Sequence, residues 1–250
     1  VTHADSAGIP FDGRAFHENP SAGDDGSADP RLLEAVRRFR ARDLGMPDVV
    51  AALGSARLLV PLVTERGDEG VGPHGRLVDK TQELALVTVA GPDGRAVLPV
   101  FSSVDAMRTW NPAARPIPVT APRAALAAAA DDLGAIVLDP GSPTEFALRR
   151  TAFEALATGT PFEPCFADAR VLEAFVAASA GEPAVRAVRL APGDPDARLA
   201  GPELLVQLAL DAGLGRTELD AVLARLGDAW AASPVILDRV DSIAVRLETR

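Results

Sequence analysis

The sequence predicts an α+β fold: a mixed, largely antiparallel sheet with flanking helices, followed by a smaller C-terminal ββαβ module. Three observations predict it. Leu84–Ala90 is apolar on both pleat faces and runs into Gly91-Pro92-Asp93-Gly94, after which Ala96–Phe101 returns; this is the pattern of a buried strand, a tight turn and a second strand. Apolar residues recur at three-to-four spacing in Leu32, Leu33, Val36 and Phe39, and again in Val171, Leu172, Phe175 and Val176, which places each set on one side of a helix. Leu204, Val206, Leu208 and Leu210 alternate with other residues, as do Ile243, Val245 and Leu247, the period of a strand with one face buried.

Taken in order, residues 1–30 are rich in Gly, Asp, Ser, Ala and Pro and read as a flexible tail, with too little apolar surface to offset the entropy of ordering it; Phe11 and Phe16 are its exceptions. Pro30 opens the first helix, Pro47–Leu53 forms a short second one closed by Gly54, and Leu58–Val63 is a strand. Thr64–Val78 is rich in Gly and Pro and reads as a surface loop leading into the strand at Leu84–Ala90, which is expected to be central. In the returning strand Pro99 cannot donate to a ladder, which predicts an edge or a bulge there. Ser102 and Ser103 are placed to cap a helix with Asp105 in its first turn and with Met107 and Trp110 on its buried side. There follow an extended Pro116–Val119, an alanine-rich helix Pro122–Leu133, a strand Ala135–Leu138, a strand Glu145–Arg149 and a helix Thr151–Thr158. Gly159-Thr160-Pro161 marks a boundary, giving a first domain over 31–159 and a second over 160–250. The second holds a helix Asp168–Ala180, strands Val185–Leu190 and Glu203–Leu210, a helix Glu218–Ala231 capped by Thr217, and the strand ending in Leu247.

The runs VLPVFSSVDAMRTW and DKTQELALVTV, flanked by GDDGSADPRL and AIVLDPGSPTEFALRR, resemble the SseB N-terminal domain family in its actinobacterial form, over roughly residues 20 to 157. Ser102 stands where that family usually has Thr, an exchange that keeps a hydroxyl able to cap a helix. The resemblance rests on structural patterns, not chemical signatures. It implies an α/β domain without a catalytic set. The family's label refers to enhanced serine sensitivity in one lineage and is shared with a type III secretion protein, whose expected long helices or apolar insertion segment have no counterpart in this chain.

Acidic residues outnumber basic ones, 35 to 25, for a net charge of −10, which opposes non-specific phosphate binding and argues against a nucleic-acid partner. A single cysteine, Cys165, rules out a disulfide within the chain and suits a reducing compartment. With no apolar stretch near the length of a membrane span and no basic segment leading an apolar run, the expected location is cytoplasmic, with no membrane partner.

Gly70-Val71-Gly72-Pro73-His74-Gly75 matches GxGxxG formally, yet a dinucleotide site needs those glycines between a strand and a helix, and here a strand follows. Pro73 also removes one N–H donor, so no cofactor is expected. His3, His17 and His74 have no partner at metal-binding spacing, and Cys165, between Pro164 and Phe166, has the apolar setting of an inert packed thiol. The pairs Asp131 with Asp132 and Asp194 with Asp196 read as solvated charge at a helix end and in a Pro-Gly loop. Neither a catalytic nor a metal site is predicted.

The remaining candidates are weak and concern ligand or partner contacts. Lys80 is the only lysine in the chain and precedes the strand expected to be central; unlike Arg, a Lys can lose its proton when desolvated. With Glu83, Arg149 and Arg150 it could frame a site between the two domains in which a cation holds a carboxylate. The leading expectation is a non-catalytic cytoplasmic protein that acts through a protein partner or as a regulator. The alternative is a sensor or enzyme for an amino-acid-like small molecule near Lys80.

Overall fold

A computed structural model of the chain describes residues 24–63 and 87–249. Among them are eight helices and three sheets, the α+β architecture that the residue patterns predict. The first half runs α1 (Pro30–Arg40), α2 (Met46–Ser55), β1 (Arg57–Leu62), β2 (Val89–Ala90), β3 (Ala96–Val100), α3 (Val104–Trp110), β4 (Arg115–Thr120), α4 (Ala121–Ala130), β5 (Ala135–Leu138), β6 (Phe146–Arg149) and α5 (Arg150–Thr158). The second runs α6 (Ala169–Ser179), β7 (Val185–Pro192), β8 (Leu204–Leu210), α7 (Arg216–Ala231), α8 (Pro234–Arg239) and β9 (Ile243–Thr249).

Asp29 begins α1 by accepting a hydrogen bond from the Arg31 N–H at 2.7 Å, Pro30 supplies the pre-set first turn, and Leu32, Val36 and Phe39 are buried. The residues just before it are not a free tail. Asp24 pairs with Arg57 at 2.7 Å, and the Gly26 carbonyl accepts from the Val104 N–H, so the stretch 24–29 is fastened to the domain.

The Gly91–Gly94 turn forms as expected: the Gly91 N–H donates to the Arg95 carbonyl and Gly94 takes φ +80°, which a glycine adopts without strain. The strand expected to be central is described from Val87 onward, and only Val89–Ala90 belongs to β2, at the end of a four-stranded order β2-β3-β5-β6. The returning strand β3 is internal. It runs antiparallel to β2 and parallel to β5, and Pro99 is buried, so the edge or bulge expected there is not an exposed one. The missing donor still leaves a mark. The β2 register pairs Val89 with Val97, so Val87 would come next to Pro99, and there the ladder stops.

Alternation along these strands gives the sheet two unlike faces. Leu98, Val100, Ile136, Leu138, Phe146 and Leu148 join the main core with Leu32, Val36, Leu53 and Phe153 from the helices. Val97, Ala135, Val137 and Ala147 line the other face, small side chains that leave room for another layer. A separate two-stranded sheet, β1 with β4, meets the first where Leu59 and Phe101 exchange both backbone hydrogen bonds at 2.8 Å.

The C-terminal module is a three-stranded sheet, β7-β8-β9, antiparallel then parallel. Leu204, Val206 and Leu208 face Val171, Phe175, Val222, Leu226 and Trp230, and the Phe175 and Trp230 rings meet edge-to-face at 5.2 Å. Two details depart from expectation. The six-residue α8 makes the order ββααβ, and Gly215, not Thr217, precedes α7, with the Glu218 carboxylate accepting from the Gly215 N–H at 2.9 Å.

Candidate functional site

Of the four candidate residues, Lys80 and Glu83 lie outside the described residues, as do the Gly70–Gly75 motif and all three histidines. The structure places Arg149 and Arg150 where the sequence changes from strand to helix, at the join between the two modules. Strand alternation puts Arg149 on the small-residue face of the sheet, beside Ala135 in register and two positions from Ala147. The C-terminal module covers that face with the loop 193–201, whose Leu199 packs on Val97 and its neighbours, while at the edge of β6 the Ala197 carbonyl accepts from the Ala147 N–H at 2.7 Å.

Arg149 is therefore buried, its side chain 7 % exposed, and it finds its partners in the second module. Nη2 donates to Asp194 Oδ2 at 3.1 Å and to the Gly201 carbonyl; Nη1 donates to Asp241 Oδ2 and Ser242 Oγ, each at 3.3 Å. Arg95 grips the same Asp241 with two bonds of 2.8 and 2.9 Å, the fork geometry that suits guanidinium and carboxylate. Glu203 completes the cluster, accepting from Thr151 Oγ1 at 3.1 Å and from the Asp241 N–H at 2.7 Å. Asp194, which reads as solvated charge in the sequence, is buried; it also accepts from the Arg198 and Leu199 N–H groups and so shapes the loop that carries it. Gly193 and Gly201 close that loop at such short range that a Cβ on Gly201 would stand 2.8 Å from the Gly193 carbonyl.

Arg150 takes a different route to the same module. Its guanidinium donates to the carbonyls of Leu237, Asp238 and Val240 at the C-terminal end of α8, and pairs with Glu154 one turn along α5. On the far side, Arg40 and Arg42 pair with Asp196 of the 193–201 loop.

The electrostatics follow from burial and pairing. Burial works to raise Asp241, but the Arg95 hydrogen bond and the two guanidinium charges outweigh it and hold the carboxyl below its ordinary value. Asp241, with Asp93 behind it, in turn raises Arg95. Glu203 goes the other way. Burial raises it, and the Asp241 charge adds to the rise against the bonds from the Asp241 N–H and Thr151. Beside it the Cys165 thiol is pushed far up, first by burial and then by the Glu203 charge.

The reading of Asp194 as solvated charge is thus overturned at this join, where ionisable groups converge out of water. The hollow that Arg149, Asp194 and Glu203 line with Met46, Pro164 and Phe166 has a volume of about 10 Å³, room for about one water. A larger concavity of about 510 Å³ lies elsewhere, lined by Leu59, Pro116 and Pro118 of β1 and β4 together with Asp24–Ser27, Val104, Asp105 and Arg108. No sequence motif marks it. Its one trace is the Pro116-Ile117-Pro118 run, whose cross-strand register brings Pro118 opposite Leu59. Among the described residues no group of three or more His, Cys, Asp or Glu is arranged to hold a metal ion, and no helix is long and apolar enough to cross a membrane.

The fold defines an α+β domain of structural motifs, joined to a second module by a buried ionic cluster. Comparison with protein families matches residues 31–155 to the SseB protein N-terminal domain, and the chain belongs to that family. Neither the curated proteins nor the solved structures give a match to the chain.

Proposed function

We propose that this SseB-family chain is a non-catalytic cytoplasmic protein that acts through contacts with a protein partner or as a regulator. The observation that carries this reading is the state of Arg149. Its Nη1 and Nη2 donors are spent on Asp194, Asp241, Ser242 and Gly201 of the chain itself, in a space that admits about one water. Arg150 is likewise committed to α8 and Glu154. A carboxylate ligand would have to displace internal partners at both, and a reacting group at Arg149 would have to enter a filled space. The buried, unpaired Cys165 supports a reducing compartment.

Two measurements on the full chain test the reading. Affinity capture from the native host should return a stoichiometric partner. Thermal shift against a panel of amino acids should give no rise in Tm, whereas a ligand at 100 times its Kd would add about 2.7 kcal/mol. A saturable rise with one amino acid, together with no captured partner, would replace the reading with that of a small-molecule sensor.

A further inference from the structure

We infer that the outer edge of β9 is a self-pairing surface, through which two copies of the chain join their C-terminal sheets about a two-fold axis. The backbone sets up the edge. Leu204 N–H donates to the Ser242 carbonyl, so along β9 the even-numbered residues turn their backbone groups toward β8. Those of Ile243, Val245, Leu247 and Thr249 point away from β8, a row of donors and acceptors along seven residues.

Other strand edges in the molecule carry devices that block such pairing. In β4, Pro116 and Pro118 alternate along the strand that pairs with β1, and Leu59 opposite Pro118 bonds instead to Phe101. The two imide nitrogens therefore face the outside of β4, where no N–H is offered. The opposite edge of the C-terminal sheet, β7, has a register shift between Val185 and Ala187, exposed Arg186 and Arg189, and Pro192 at its end. β9 has no proline, no bulge and no lysine, and the two charges it carries, Arg246 and Glu248, are of opposite sign where those of β7 are alike. Its apolar row continues the core-facing side of β8 in register, Leu204 with Ile243, Val206 with Val245 and Leu208 with Leu247. Yet Ile243, Val245 and Leu247 are 36, 39 and 42 % exposed, whereas their β8 neighbours are fully buried.

The charges on the other face commit the edge to a second copy. If β9 meets its own copy antiparallel with Leu247 opposite Leu247, Arg246 falls opposite Glu248 of the partner strand, whose carboxylate within its own chain reaches Arg189 of β7 at 3.3 Å, and by symmetry the contact occurs twice. In that register Leu247 of each strand exchanges both backbone bonds with the other. The arginine and glutamate then sit in non-hydrogen-bonded positions, where side chains approach most closely. The apolar side chains Val245 and Leu247 of the two copies close into one covered row. This inference does not depend on the partner proposed above, which could bind elsewhere on a dimer.

The test is the solution mass of the full chain by light scattering and sedimentation equilibrium, with charge variants. The wild type should show twice the 26.0 kDa chain mass. Arg246→Glu and Glu248→Arg each set like charges opposite one another twice, and should each weaken association about tenfold or more. The double variant R246E/E248R, compared with the wild type and both single changes in an Arg189→Ala background so that position 248 meets no like charge within the chain, restores complementarity and should recover the dimer, a rescue that misfolding of either single variant could not produce. Leu247→Pro removes an outward N–H and should give a folded monomer by circular dichroism, as the prolines of β4 show such an edge tolerates. A monomeric wild type would overturn the inference, as would a dimer indifferent to both single changes or a double variant that stays monomeric.

Discussion

Arg149 and Asp241 stand 92 positions apart in sequence, yet Nη1 of one lies 3.3 Å from Oδ2 of the other, across the join between the two modules. Their side chains are 7 and 1 % exposed, so the pair is out of water, and each group relies on the other and on Asp194, Arg95 and Ser242 for compensation. Removing one member strands a buried charge. Arg149→Met should therefore lower stability by about 3–5 kcal/mol, read as a lower urea midpoint for the full chain. A loss under about 1 kcal/mol, the range of exposed pairs, would mean that water reaches the join.

The two shifted carboxyls at the join make opposite contributions to the pH dependence of stability. Asp241 is lowered in the folded state, so what it contributes is present in full above its unfolded value, about pH 4, and is lost as pH falls through its folded one. Glu203 is raised, so the folded state takes up its proton first. Stability gains as pH falls through its folded value toward about 4.3, where the unfolded chain also protonates. In urea titrations from about pH 8 to 3, Glu203→Gln should remove the gain on the upper part of the curve, and Asp241→Asn should flatten the loss at its acid end. Curves for both variants parallel to the wild type would refute the assignment.

Much of the first domain was legible because its signals are local. Gly94 at positive φ, Pro30 at a helix start and Met107 on a buried helix face each follow from a residue and its near neighbours. The join was legible only in part: Arg149 and Arg150 read as framing a site between the domains, but the groups they meet come from distant stretches. Arg149 announces itself only as a charge at the end of an apolar strand, and nothing near Asp194 in sequence says that its loop folds onto that strand. Pro99 misled for a related reason: the residue shows which bond is missing, while the tertiary arrangement decides that the residue is buried in a strand with neighbours on both sides. The short α8 falls below the length at which periodicity distinguishes a helix from a turn. Lys80 and Glu83, read as candidates on composition and position, lie outside the described residues.

Cys165 provides a kinetic test of how tightly the modules close. It is 2 % exposed, and burial with the Glu203 charge keeps the thiol protonated far above neutral pH. A thiol reagent such as DTNB should therefore label the native chain only as fast as the join opens, and label it at once in denaturant. Asp241→Asn, which loosens the join, should speed native labelling while leaving the denatured rate unchanged. Immediate labelling of the native wild type would show that the thiol is open to solvent.

Ser102 and Asp139 lock the first domain at the other end of β3 and β5. The expectation assigned Ser102 to helix capping together with Ser103; only Ser103 does this, accepting from the Ala106 N–H at 3.1 Å. Ser102 turns inward instead. Its N–H and hydroxyl donate to the two Asp139 carboxylate oxygens at 2.8 and 2.7 Å, and Thr144 adds a third bond at 2.8 Å. Asp139 itself holds φ at 44°, a left-handed conformation that Asp tolerates better than most side chains. Asp139→Ala loses the acceptors for three donors and keeps the strained backbone, so it should cost about 3 kcal/mol. Asp139→Gly loses the same bonds but relieves the backbone, so it should cost about 1 kcal/mol less. Ser102→Ala, which removes only the hydroxyl, should cost about 1 kcal/mol. Urea unfolding of the three variants checks the order, and equal losses for Asp139→Ala and Asp139→Gly would show that the left-handed backbone contributes nothing to the difference.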